Sequence, residues 1–139
     1  MVYARYQEQA RSNEEAARLI EKDYPDWAVT MCFYAALHWV KCYAAQAGYD
    51  MEKLQSHDEH RGYLYDLAYE KLKKRELHQL YDDLHGASEK ARYFKSSSHR
   101  RSVQPIRDDN AINYFRTHKR EVNAAFDKLQ QIKDILQIS

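Results

Sequence analysis

The chain has 139 residues, with 22 Lys and Arg against 21 Asp and Glu, 3 Gly, 2 Pro and 2 Cys. A chain of that length is expected to form one domain over residues 1–139, with a core that needs no metal or disulfide staple. So few Gly and Pro exclude an all-β sandwich or barrel, and no apolar run reaches the roughly 18 residues of a membrane span.

The first helical segment is expected from about Tyr6 to Lys22, with Ala10, Ala17 and Ile20 on its inner face. Tyr24-Pro25-Asp26 ends it, because Pro disfavours helix in the residue before it and fits the first turn after. The second segment, about Asp26 to Ala47, is the most apolar. Trp27, Met31, Tyr34, His38 and Val40 line one side, and Val29, Phe33, Ala36, Leu37 and Ala44 the other. Apolar residues on both sides mark a central helix covered by its neighbours. Cys32 and Cys42 lie ten residues apart in it, about 15 Å of helical rise, too far to bridge. Free thiols and a signal-less N-terminus point to the cytoplasm. Gly48 is the expected stop.

A third helix starts at Ser56, where Ser56-His57-Asp58-Glu59 fits a capping box. Leu64, Leu67, Ala68 and Leu72 follow, and Lys73-Lys74-Arg75 marks a break. The fourth, about Glu76 to Phe94, carries Leu77, Leu80, Tyr81, Leu84, Ala87 and Ala91 at helical intervals, with Gly86 pointing to close packing. Lys95 to Arg107, with three serines and Pro105, reads as a loop. The last helix is expected from a cap at Asp108 or Asp109. Its stripe of Ile112, Phe115, Val122, Phe126, Leu129, Ile132 and Leu136 serves either the core or a dimer seam. The expected fold is all-α, a four- to five-helix up-and-down bundle.

Charge is distributed unevenly. Residues 90–107 hold six bases (Lys90, Arg92, Lys95, Arg100, Arg101 and Arg107) and no acid. Such a stretch either tracks an RNA backbone, with Tyr93 or Phe94 as a stacking face, or forms a solvated loop. His57 and Arg61, one turn apart, either join that groove or serve as a cap and an ion pair. His38, amid apolar neighbours, is expected to be buried and bonded to a neighbouring helix. His57-x-x-His60 and Asp82-x-x-His85 offer metal-ligand types. However, no E-x-x-H occurs, and His60 and Asp82 fall on polar helix sides, so neither metal nor cofactor is expected. The 12 tyrosines favour a homodimer.

The strongest pattern is Arg92-Tyr93-Phe94-Lys95-Ser96-Ser97-Ser98-His99. Here, and in Asp26-Trp27-Ala28, Phe33 to His38, Ser56-His57 with Arg61, and Leu84 to Tyr93, the chain resembles the HEPN superfamily, in particular small prokaryotic HEPN-domain proteins. Ribonuclease members of that superfamily carry R-x(4–6)-H near the end of a helical domain. The resemblance implies a metal-independent endoribonuclease of toxin or defence type, with Arg92 and His99 catalytic and the site assembled across a homodimer. It also implies a cognate antitoxin or nucleotidyltransferase partner. Active members usually have Asn, Asp or His after the Arg, where this chain has Tyr93. The alternatives are a non-catalytic HEPN-like module that binds nucleic acid, nucleotide or a partner protein through the basic loop, and a bundle serving assembly alone. For the pair itself, the alternative is an Arg92 salt bridge at a helix end and a solvated His99.

Overall fold

A computed structural model of the protein describes residues 2–94 and 110–137. Among them lie six α-helices: α1 (Val2–Ile20), α2 (Pro25–Gln46), α3 (His57–Asp66), α4 (Arg75–Tyr93), α5 (Ala111–Thr117) and α6 (Lys119–Leu136). A 3-10 turn (Met51–Lys53) precedes α3, a π-turn (Leu67–Lys71) follows it, and the described residues contain no strand. No helix among them is long and apolar enough to cross a membrane.

The middle of the molecule is α2. Pro25 sits at its start, where a missing N–H costs nothing, and Asp26 in the first turn suits the positive end of the helix dipole. Val29, Cys32, Phe33, Ala36, Trp39 and Val40 are buried on several of its sides, and α1, α4, α5 and α6 all pack against it. Trp27, expected on an inner side, is instead half exposed at the entrance to the helix. Both cysteines are free and buried, and burial pushes the Cys32 thiol up to about 12. A polar link crosses the core edge: Trp39 Nε1 donates to Glu14 on α1, and Lys133 on α6 reaches the same carboxylate at 3.2 Å. The chain leaves α2 through Gly48 at φ +89, a conformation that favours glycine.

Ser56 caps α3 as expected, its Oγ accepting from the Glu59 N–H at 3.1 Å; the Glu59 carboxylate in turn accepts from Gln55 N–H. The Lys73 break is real. Lys73 adopts φ +55, and Lys74 N–H closes the turn onto the Ala68 carbonyl at 2.7 Å.

Two expectations about the C-terminal third need correction. Asn110 is the residue that caps α5, accepting from Asn113 N–H at 2.9 Å. The single expected helix is also two, separated at His118 (φ −113, ψ 57). There His118 Nδ1 bonds the Tyr114 carbonyl at 2.7 Å and its ring stacks on Tyr114 at 4.0 Å. The apolar stripe belongs to the core: Phe115, Val122, Phe126, Leu129, Ile132 and Leu136 are all buried, and α6 packs on α2 and α4.

Candidate active site

Arg92 lies in the last turn of α4, just before the chain passes into residues 95–109. Its guanidinium is held from two helices. Nη1 donates to the Tyr34 hydroxyl on α2 at 2.9 Å, while Nε and Nη2 reach the Ser88 carbonyl and hydroxyl at 3.3 Å each. Ser88 is fully buried and its hydroxyl donates to the His85 carbonyl at 2.8 Å, so it is itself fixed. These acceptors are neutral oxygens. They orient the fork without cancelling its charge, unlike the salt bridge considered from the sequence. The guanidinium also faces the rings of Tyr34 at 5.6 Å and Tyr93 at 5.0 Å, and Tyr93 is exposed.

Beneath Arg92 sits an aromatic and imidazole cluster. The Phe33 ring lies 5.0 Å from His85 and 5.8 Å from His57, and the two imidazoles are 5.0 Å apart. Glu89 follows His85 by one turn, with 3.9 Å between His85 Nδ1 and its carboxylate. Burial holds His57 below its ordinary pKa and the charge of Arg92 pushes the same way, while Glu89 and Asp58 oppose them. At neutral pH His57 is therefore an uncharged imidazole, and its Nδ1 is buried with no hydrogen-bond partner among the described residues.

The remaining candidates divide. Lys90 is engaged inside the protein, donating to Glu121 and to the Tyr114 hydroxyl at 3.0 Å each. Burial alone would lower its pKa, but those hydrogen bonds lift it. Arg61 forms a two-pronged pair with Asp82 at 2.7 and 2.9 Å. Of the two roles open to it, the structure places it in the ion pair. Lys95, His99, Arg100, Arg101 and Arg107 lie outside the described residues. His38 bonds within its own helix, through Nδ1 to the Tyr34 carbonyl at 2.8 Å, and not to a neighbour. His60, expected on a polar side, is buried, and Asp82 is half-buried against Arg61. No group of His, Cys, Asp and Glu among the described residues is arranged to hold a metal ion.

Sequence reasoning missed Tyr34 and Ser88 as holders of Arg92 and His85 as a neighbour of His57. Ser88 is one turn before Arg92, a spacing that could have flagged it. Tyr34 is 58 residues away and gives no local signal.

What this arrangement supplies is a guanidinium fixed by neutral oxygens, close enough to the His57 imidazole for its charge to be felt there. Such a set suits an anionic phosphate group undergoing proton transfer. No curated protein matches the chain, and no solved structure does. The HEPN domain family model matches residues 3–138, nearly the whole length. The chain, matched over that length and with only helical elements among its described residues, belongs to the HEPN domain family.

Proposed function

We propose that the protein acts on RNA as a metal-independent endoribonuclease of toxin or defence type, working as a homodimer. The observation that carries this reading is the Arg92 guanidinium, locked by Tyr34 and Ser88 seven positions before His99 in the sequence. In this reading His99 takes the proton from a ribose 2′-hydroxyl. The freed oxygen then attacks the adjacent phosphorus, and the 5′-oxygen of the next nucleotide leaves with a proton that the resulting imidazolium returns, so that the His99 imidazole serves as base and then as acid. Arg92 holds the charge that grows on the phosphoryl oxygens. The exposed Tyr93 ring offers a stacking face to a base, and the cations between residues 95 and 107 follow the strand. A cognate antitoxin or nucleotidyltransferase would be the regulating partner.

The test is cleavage of single-stranded RNA in EDTA. The purified protein is expected to cut, and Arg92→Ala and His99→Ala each to lose at least about a hundredfold in rate while the helical circular dichroism spectrum at the assay temperature is kept. Tyr93, standing where active relatives usually have Asn, Asp or His, favours a second reading: a module that binds RNA without cutting it. Salt-dependent binding with no cleavage by the parent protein decides for that one.

A further inference from the structure

Helices α3 and α4 meet along a ladder of paired side chains. His57, Arg61 and Tyr65 recur every four residues on α3, and His85, Asp82 and His78 answer them from α4. The His57 and His85 rings are 5.0 Å apart, Arg61 grips Asp82 at 2.7 Å, and the Tyr65 ring meets the His78 ring edge-on at 5.3 Å. On α4 the same stripe continues from His85 through Glu89 to Arg92. His78 and Arg92 are fourteen residues apart, so they share one face of a single helix and stand about 21 Å apart along it.

The far end of this ladder is an exposed aromatic platform. The Tyr65 and Tyr69 rings stack at 4.3 Å across the passage from α3 into the π-turn. His78 props both, T-shaped on each, at 5.3 and 5.9 Å, and Tyr65 remains 47 % exposed. Beside them Lys71, Lys73, Lys74 and Arg75 place four bases in five positions, all exposed, bracketed in the chain by Glu70 and Glu76. Among the described residues none of the four is in an ion pair. Arg75 lies over the Tyr69 ring at 5.7 Å and Lys71 over the Tyr63 ring at 6.0 Å, contacts that leave their charge available.

A stacked, half-exposed ring pair bordered by unquenched cations has the recognition chemistry of a single strand: a base lies on the ring and its phosphate on the cations. An apolar protein surface is a poorer match, because the four cations would lose their water on docking. The middle of the ladder is neutralised, Arg61 by Asp82, so phosphate contacts concentrate at its two ends. The distance between those ends is that of about six nucleotides at the 3.4 Å spacing of a stacked strand. We propose that Tyr65, Tyr69 and the cations from Lys71 to Arg75 form a stacking exosite that holds single-stranded RNA about six nucleotides from the phosphate at Arg92. The inference takes its ligand from the RNA reading above and rests on residues that reading does not use.

The probe is a fluorescein-labelled 12-nucleotide RNA with every ribose 2′-O-methylated, so that it binds and cannot be cut. Tyr65→Ala is expected to weaken its binding about tenfold with the slope of log affinity against log salt unchanged, because stacking releases no counterion. Tyr65→Phe keeps the ring and should bind as the parent does. Lys74→Gln should instead flatten the slope by about 0.7, the share of one phosphate on a single strand. On unmodified RNA, Tyr65→Ala raises KM with kcat little changed. Parent-like affinity in Tyr65→Ala overturns the exosite, and so does an equal loss in Tyr65→Phe, which would make the hydroxyl the contact. A Tyr65→Ala variant that sediments as a smaller species with RNA affinity unchanged makes the patch a subunit interface and overturns it too. The outcomes separate the two proposals. If the parent binds through Tyr65 but cuts nothing, the exosite stands and the nuclease falls. If the parent cuts with a KM that Tyr65→Ala leaves unaltered, the nuclease stands and the exosite falls. A parent that binds no RNA removes both.

Discussion

Arg92 illustrates how little a charged residue's role depends on its charge alone. Lys90 and Arg61 carry the same charge, yet each is neutralised inside the fold, by Glu121 and Asp82. Arg92 meets hydroxyl and carbonyl oxygens, which fix its direction and leave the charge available to a phosphate. If that is the purpose of the Tyr34 hydroxyl, Tyr34→Phe should lower kcat about tenfold, while the loss of one hydrogen bond costs only about 1 kcal/mol of stability. Steady-state kinetics beside a melting curve checks this. A variant with full kcat would make Tyr34 a packing residue and nothing more. At this scale the sequence was partly legible. Arg92 stood out by its spacing from His99, but the partners that decide the fate of each cation lie 21, 31 and 58 residues away. Sequence counting sees the charge and not the partner.

The helices themselves follow from local rules, which is why α1 to α4 are readable from apolar spacing, Pro25, the Ser56 cap and the Lys73 break. The exception is the α5–α6 junction. Apolar residues continue in helical register from Phe115 to Val122 across it, so periodicity gives no sign of the turn that His118 makes by stacking on Tyr114. His60 escaped for the complementary reason. Its sequence neighbours Glu59 and Arg61 are polar, so the local pattern gives no sign that it is buried. The Lys73 turn supports a direct prediction. A lysine at φ +55 bears a steric penalty that glycine avoids. Lys73→Gly should therefore stabilise the protein by up to about 1 kcal/mol, a rise of about 3 °C in melting temperature, whereas Lys73→Ala should not. A lower melting temperature for the glycine variant would contradict the assignment of this turn.

The molecule as a whole keeps three imidazoles uncharged. Burial lowers the pKa of His38, with Lys41 adding to it and the Tyr34 carbonyl opposing. Burial likewise lowers His57, with Arg92 and Lys41 adding to it and Glu89 and Asp58 opposing. In His60 burial is joined by Lys41 and His57 and opposed by the Leu54 backbone and Glu59. The sign follows from proton binding. Well above pH 6.5 these imidazoles are neutral in both states and cost nothing. As pH falls through about 6.5 the unfolded chain takes up protons that the folded chain resists, so stability drops until the folded pKa values are reached. The melting temperature should therefore fall between pH 7.5 and 5.5, above the range where ordinary carboxylates titrate, and His60→Asn should flatten that decline. A melting temperature that holds or rises over this window would place these histidines in a different environment.

The central claim is that Arg92 serves a reaction in which RNA is cut by its own 2′-hydroxyl. The most direct measurement is the chemistry of the cut ends after digestion of single-stranded RNA in EDTA. A 2′,3′-cyclic phosphate on one fragment and a 5′-hydroxyl on the other are expected, with no cut at a position whose ribose is 2′-deoxy. Fragments ending in a 5′-phosphate, or cutting that persists at a 2′-deoxy position, would contradict it.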